Sequence, residues 1–398
     1  MSLKQIPIIG TPVRFRDLMR GLIAPFSRVS CREQFAKRLQ ESLRSPFCRL
    51  TCSGRTAGYL ILKALSAMND RDQVIIPAYV CTSLIGAIKK AGLTARLCDI
   101  SLDTFQMDVE GLDEAVTDRT LAVIPAHLFG LACDIHAVAD IAEKRGAAAI
   151  EDFAQSMGTT IDGKETGTIA RMGFTSFGRG KNFPTYSGGA VVCSDDELAG
   201  SIEGLLEKLE HPTLRERFDI AVKLLLFSVI VNPYVHKAVH PLIMMLKGSD
   251  YAIHDLRAQQ YTDFQARIGS SMITRFEEFS RKRNANGMYL YERLRDREFI
   301  QVPEILKGSR PAFNRFPVLF KETKMRERAE KALLQAGIIA CRLYTEPVHR
   351  LYPELWDGEA ADPFPNASLF AKNSLTLPSH PLVNDSTLEE IVRMFEAL

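Results

Sequence analysis

Between residues 48 and 194 the chain repeats one pattern, a short apolar run followed by a longer stretch of helical periodicity. The runs are CRLTC (48–52), QVIIP (73–77), ARLCDI (95–100), TLAVIPAHL (120–128), AAAIEDF (147–153), MGFTSFG (172–178) and GAVVCS (189–194). Several are continuously apolar rather than alternating, the pattern of strands covered on both faces. Helix patterns such as TAGYLILKALSAM (56–68) and DIHAVADIAEKRG (134–146) lie between them. The second opens on Asp134, a capping residue, and stops at Gly146. Such repetition restricts the chain to an α/β fold: a mostly parallel seven-stranded sheet with helices on both faces. The last two runs depart from it. Too few residues separate them for a helical crossover, so a hairpin is expected, with one antiparallel strand near Lys181.

The rest of the chain reads as additions to this sheet. A large domain is expected over residues 1–265, with an N-terminal arm (1–47) and an apolar helical insert at about 205–250. Residues 266–398 read as a small C-terminal α+β domain. It would open on a long amphipathic helix pattern at 262–296, with strands in AFNRFPVLF (312–320) and IIACRL (338–343) and helices at 325–337 and 386–398. With 398 residues, 46% of them hydrophobic, the chain has material for a sizeable core.

The insert contains IAVKLLLFSVIVNPYVHKAVHPLIMML (220–246). Its longest uncharged run, Leu224 to His236, is shorter than the roughly 20 residues that cross a bilayer, and Pro233 interrupts it. A buried helical hairpin, or one at a subunit contact, is expected. A peripheral membrane helix is the alternative, with sparse basic residues to support it. A net charge of +2 argues against a nucleic-acid partner. The eight cysteines are dispersed, with no C-x-x-C pair and no zinc-like spacing. The opening MSLKQIPIIGTPVRF has no signal-peptide pattern. A cytoplasmic protein with reduced thiols is the expectation.

In a parallel sheet, ligands collect beyond the C-terminal strand ends. SGRTAG (53–58) follows the first run and leads into a helix, the arrangement of a phosphate site, although such turns also serve packing alone. Asp152 and Gln155 follow the fifth run in EDFAQS, where an Asp that merely caps the next helix is the plainer reading. Ser176 ends the sixth run. Lys181 follows between Gly178-Arg179-Gly180 and Ser187-Gly188-Gly189, in a setting that lets backbone approach a ligand closely. Together these groups answer the needs of pyridoxal phosphate: a lysine for the Schiff base, a carboxylate for the ring nitrogen, and donors for the phosphate.

The same stretches resemble the DegT/StrS family of sugar aminotransferases. SGRTAG is similar to its S-G-T-x-A-L, HLFGLACDI (127–135) to H-L-Y-G-x-x-x-D-M, and IEDFAQSMG (150–158) to E-D-x-A-Q-x-x-G. SFGRGKN (176–182) keeps the S-F-x-x-x-K-N spacing, and LYTEPVHRLYP (343–353) and LPSHPL (377–382) look like two late family motifs. The resemblance implies the type I fold of pyridoxal-phosphate enzymes and residue roles to match. Lys181 would hold the cofactor and shuttle a proton, and Asp152 would pair with the ring nitrogen. Gln155 would contact the ring oxygen or pack against it. Ser176 and the backbone of Gly54, Arg55 and Thr56 would hold the phosphate, and His127 would support the site. It also implies transfer of an amino group, from L-glutamate, to a nucleotide-linked keto sugar, in a homodimer whose two subunits build each site.

Three departures stand out. Arg55 replaces a threonine, Cys81 replaces the aromatic that stacks on the ring (Tyr79 being a candidate substitute), and HDLRAQQYTDFQARIG (254–269) replaces the family's partner-subunit N-Y-R-M segment. The competing readings are an aminotransferase or lyase acting on a cyclitol or amino-acid ketone, and a regulatory protein that binds the cofactor without turnover.

Overall fold

The computed structural model describes residues 4–22, 24, 28–246, 256–356 and 361–398. The ends of the arm and insert readings at 1–3, 23, 25–27 and 247–250, and the first two residues of the 254–269 segment, lie outside them.

All seven apolar runs form strands of one sheet, in the order Phe47–Thr51, Gly189–Cys193, Met172–Ser176, Ala148–Asp152, Thr120–Val123, Gln73–Pro77, Thr94–Cys98. Gly189–Cys193 runs antiparallel to both neighbours, and every other pairing is parallel. The expected hairpin is therefore present, with the Lys181 turn inside it. Both faces are covered. The helix Gly54–Met68 packs Leu60, Ile61 and Ala64 on one face, with Ser83–Ala91 beside it. The helix Cys31–Leu43 brings Phe35 and Leu39 to the other, against Phe177 and Phe183. Asp134 caps Ile135–Lys144 by accepting the Ala137 N–H at 3.1 Å.

The long pattern at 262–296 is not one helix. It divides into Asp263–Met272, a tight turn at Ile273–Arg275, and Phe276–Leu294. Neither proline nor glycine stands at the break. Arg275 leaves the helical conformation there and pairs with Asp17, a buried carboxylate on the N-terminal helix Phe15–Leu22. A tertiary ion pair thus outweighs local periodicity.

The C-terminal region holds a three-stranded antiparallel sheet, Ile300–Gln301, Phe316–Phe320 and Ser374–Leu377, flanked by Phe276–Leu294, Thr323–Gln335 and Asp385–Glu396. IIACRL does not become a strand of it. Its backbone is divided between two isolated bridges, Ile338 with Ile6 of the N-terminal arm and Cys341 with Thr376.

The insert forms Leu214–Ile230 and Pro233–Leu246. Pro233 opens the second helix, where its missing N–H costs nothing. The chain turns by 109° between Leu214–Ile230 and Pro233–Val239, so the pair is a sharp corner and not a closed hairpin. Nor is the first helix buried: only its Leu224 and Phe227 are inside, while Leu214, Phe218, Leu226 and Val229 are exposed. Among the described residues no single helix is long and apolar enough to cross a membrane; this bent pair meets the length and composition requirement only jointly.

Candidate active site

Strand register brings the candidate residues together. Gly189 faces Thr51 on one side and Ser176 on the other. The segments that leave those ends, Ser53–Arg55 and Ser176–Lys181, therefore share one rim of the sheet. The contact is close: a Cβ on Gly54 would lie 2.8 Å from the Ser176 Cβ and 3.1 Å from the Thr175 carbonyl. A Cβ on Gly189 would lie 2.6 Å from the Gly54 nitrogen. Only glycine permits this approach.

A cavity of about 1070 Å³ opens at this rim. Gly54, Arg55, Cys81, Asp152, Ser176 and Lys181 line it. Ser53 caps the 15-residue helix Gly54–Met68, its hydroxyl accepting the Thr56 N–H at 3.1 Å. Thr56 is fully buried, faces Ser53 and Cys52, and does not line the cavity. The first N–H groups, of Gly54 and Arg55, have no acceptor inside the helix and carry its positive end. Arg55 itself is half-buried and lines the cavity. Such a helix N-terminus is suited to an anion.

Asp152 ends its strand with Oδ1 accepting the Ala154 N–H at 3.0 Å. Burial pushes its carboxyl above the ordinary range, and the Lys181 charge is the strongest influence pulling it back. A cationic N–H donor from a ligand would relieve that burial. Lys181 sits in a turn closed by its own N–H to the Gly178 carbonyl at 3.1 Å. Its successor Asn182 donates to the Met157 and Ala312 carbonyls at 3.1 and 3.2 Å, and Asn314 donates to the Gly180 carbonyl at 2.9 Å. The lysine's backbone is thus clamped while its side chain faces the cavity rim.

Gln155 is placed elsewhere. It is buried, takes the Phe129 N–H at 3.1 Å, and donates to the Tyr344 hydroxyl at 3.2 Å. It does not line the cavity. His127 is also structural. Its Nδ1 accepts the Cys133 N–H at 3.0 Å, so Nε2 carries the proton and donates to Glu151 at 3.0 Å. Tyr79 does not substitute for the aromatic missing at Cys81. Its hydroxyl is held by the backbone of Tyr344, at 3.1 Å from the N–H and 3.3 Å from the carbonyl, and its ring meets Phe370 edge-on. Cys81 does line the cavity, its sulfur 3.0 Å from the Ser83 hydroxyl.

Two contributions escaped the sequence reading. Glu151 is fully buried and accepts the N–H groups of Gly167, Ile169 and Ala170 at 2.7, 2.8 and 2.7 Å, besides the His127 ring. It anchors the strand that presents Asp152. Gln265, in TDFQARIG, reaches the Thr185 and Ser187 carbonyls, each at 3.0 Å, and pins the far half of the Lys181 loop. Adjacent charge in E-D, and a glutamine inside a helix N-terminal turn, were the available signals. The cavity also has an apolar wall, Leu226, Phe227, Ile230 and Val231 of the insert with Leu334 and Ile339 of the C-terminal region.

Residues 26–396 match the model of the DegT/DnrJ/EryC1/StrS aminotransferase family. The chain belongs to this family. The protein is accordingly a pyridoxal-phosphate-dependent aminotransferase of the type I fold. Among curated relatives, the lipopolysaccharide biosynthesis protein RfbH of Salmonella typhimurium is 29% identical over 314 residues, covering 75% of this chain and 68% of that one. GDP-perosamine synthase of Caulobacter vibrioides is 25% identical over 343 residues, covering 85% and 82%. Among solved structures, the PMP form of the sugar aminotransferase Spr1654 from Streptococcus pneumoniae superposes with a TM-score of 0.79 at 22% identity, over 99% of this chain and 97% of that one. The cavity of this family member fits the cofactor. It has a helix N-terminus suited to an anion, a carboxyl whose burial calls for a cationic donor, and a lysine on a loop whose glycines leave room for a ring.

Proposed function

We propose that the protein transfers an amino group from L-glutamate to a nucleotide-linked keto sugar. The observation that carries the chemistry is the convergence of Lys181, Asp152, Ser176 and the Gly54–Arg55 helix terminus on one cavity. The substrate class follows from the perosamine synthase relative, whose name specifies a GDP-linked amino sugar.

Pyridoxal phosphate, when bound, supplies an aldehyde that links to amines and a ring that accepts the electron pair of a breaking C–H bond. In our reading Lys181 holds that aldehyde between turnovers. Its amine then takes the proton from the donor carbon and later returns one to the acceptor carbon; proximity and basicity both come from its position. Asp152 keeps the ring nitrogen protonated. The Gly54 and Arg55 N–H groups, the Arg55 guanidinium and the Ser176 hydroxyl hold the phosphate. Thr56 serves through the Ser53 cap, Cys81 packs on the ring face, and Gln155 acts by fixing Tyr344. Glutamate leaves as 2-oxoglutarate and the keto sugar as its amine.

We infer further that the large unit, 1–265, and the small one, 266–398, meet at the cavity, since both contribute to its lining. A homodimer belongs to the same reading. Leu214, Phe218, Val222, Leu226 and Val229 form an exposed stripe spaced by three or four residues along one helix, and Leu226 continues into the cavity wall. Such a stripe fits burial against a second copy. We also assign a cytoplasmic setting, where the eight free thiols would stay reduced.

The test is spectroscopic. Purified protein should show a visible band that L-glutamate bleaches and that Lys181→Ala lacks before substrate. No band after added pyridoxal phosphate would refute the reading. A panel of keto sugars then identifies the acceptor. Light scattering of wild type and Phe218→Glu tests the dimer, and sedimentation of the wild type with anionic vesicles would instead assign the stripe to a membrane.

A further inference from the structure

Arg315 stands just before the strand Phe316–Phe320 and is only 7% exposed. Its Nε donates to the Asn314 side chain at 3.3 Å. Among the described residues neither Nη group has a hydrogen-bond partner and no carboxylate pairs with the side chain, and neither Nη is fully enclosed. Beside it lies a second buried guanidinium, Arg283, which is 2% exposed. Arg283 donates to the Phe313 and Asn314 carbonyls at 3.4 and 3.1 Å and to the Thr11 hydroxyl at 2.9 Å, again with no acid. Two buried cations without a counter-ion are costly, because desolvation is not offset by pairing. Burial, and then Arg315, push Arg283 down to about 9. An arrangement of this kind is relieved when a ligand brings the negative charge.

The location indicates which ligand. A Cβ on Gly180 would lie 3.8 Å from an Nη of Arg315, and Gly180 lines the cavity next to Lys181. Arg315 does not itself line the cavity; its guanidinium stands behind Gly180, the residue before Lys181, whose amine on the proposed reading takes the proton from the donor carbon. That carbon, in an amino-acid donor, bears a carboxylate. A planar fork of two N–H groups matches a carboxylate in bidentate fashion, which a lysine ammonium does not.

We propose that Arg315 binds the carboxylate of the amino-acid donor and of the keto acid that departs in its place. The inference rests on the aminotransferase reading above, but concerns a residue outside the set that holds the cofactor.

The experiment uses the holoenzyme, with maleate as an unreactive dicarboxylate probe and L-glutamate as donor. Calorimetry gives maleate affinity, and single-turnover bleaching gives the half-saturating glutamate concentration and the limiting rate. In Arg315→Gln both maleate Kd and half-saturating glutamate should rise roughly 30-fold or more. The cofactor spectrum should stay unchanged and the limiting rate should change far less. Arg315→Lys should recover part of the affinity, and it decides the matter if Arg315→Gln loses its absorbance. Unchanged maleate and glutamate affinity in both variants overturns the assignment. A wild type that binds maleate through Arg315 yet is bleached by no amino acid supports the carboxylate site and refutes the aminotransferase reading instead.

Discussion

Replacing Glu151 by glutamine barely changes volume and alters no residue that lines the cavity, yet it should be among the most damaging single changes in the large sheet. Oε1 of Glu151 accepts the Ile169 and Ala170 N–H groups, and Oε2 accepts Gly167 N–H and the His127 ring. The side chain is fully buried, so water cannot substitute. A glutamine must turn its NH2 toward one of these pairs of donors. If it faces His127, the ring could shift its proton to Nδ1, but that nitrogen accepts the Cys133 N–H, so the conflict only moves. Two buried donors are left without acceptors whichever way the amide points. At about 1–3 kcal/mol each, the loss is roughly 2–6 kcal/mol. That is a large part of the 5–15 kcal/mol, or so, that holds a typical domain. Urea unfolding followed by circular dichroism would register it as a lower midpoint at unchanged slope. Hydrogen exchange at the Gly167, Ile169 and Ala170 amides should accelerate. An unfolding free energy within about 0.5 kcal/mol of wild type, with those amides still protected, would refute the view that Glu151 organises the strand end.

Other perturbations read different parts of the structure. Gly54→Ala sets a methyl group 2.8 Å from the Ser176 Cβ and 3.1 Å from a strand carbonyl, so cofactor affinity by absorbance titration should fall at least about tenfold while the far-ultraviolet spectrum is kept. Asp17→Leu leaves the Arg275 guanidinium buried without its acid and should cost about 3–5 kcal/mol, measured by urea unfolding. Glu165 is pushed up to about 7, chiefly by burial. Its folded form thus binds a proton more tightly than its unfolded form, so its stability contribution is complete below the unfolded value and is lost as pH rises toward 7. In that window the slope approaches about 1.4 kcal/mol per pH unit, and Glu165→Gln should flatten it; an identical pH profile in the variant would count against the burial argument.

Much of this molecule was legible because local chemistry and tertiary environment agree. The seven runs are apolar along their whole length, and strands with that composition have only the interior of a covered sheet to occupy. The short link between MGFTSFG and GAVVCS left no room for a crossover, and the one antiparallel strand stands there. Six of the eight proposed cofactor residues meet at one cavity because they follow strand ends on the same edge. Thr56 and Gln155 do not join them. Both have polar neighbours nearer than the cavity, Ser53 for one and Phe129 with Tyr344 for the other, and such competition cannot be read from spacing.

Other features belong to tertiary structure alone. The helical periodicity at 262–296 is unbroken in the sequence, and only an ion pair to Asp17, some 250 residues away, turns Arg275 out of the helix. The apolar insert looked like buried material by composition, and the exposure of its first helix is known only once its neighbours are in place. Arg315 in AFNRFPVLF could have been any solvated arginine. Its lack of a counter-ion emerges when the small sheet folds against the Lys181 loop and places the guanidinium beside Gly180. Patterns of polarity along a chain determine which surfaces must leave water. Which charges then find partners depends on what long-range packing brings within a few ångströms, and the sequence order carries no measure of that distance.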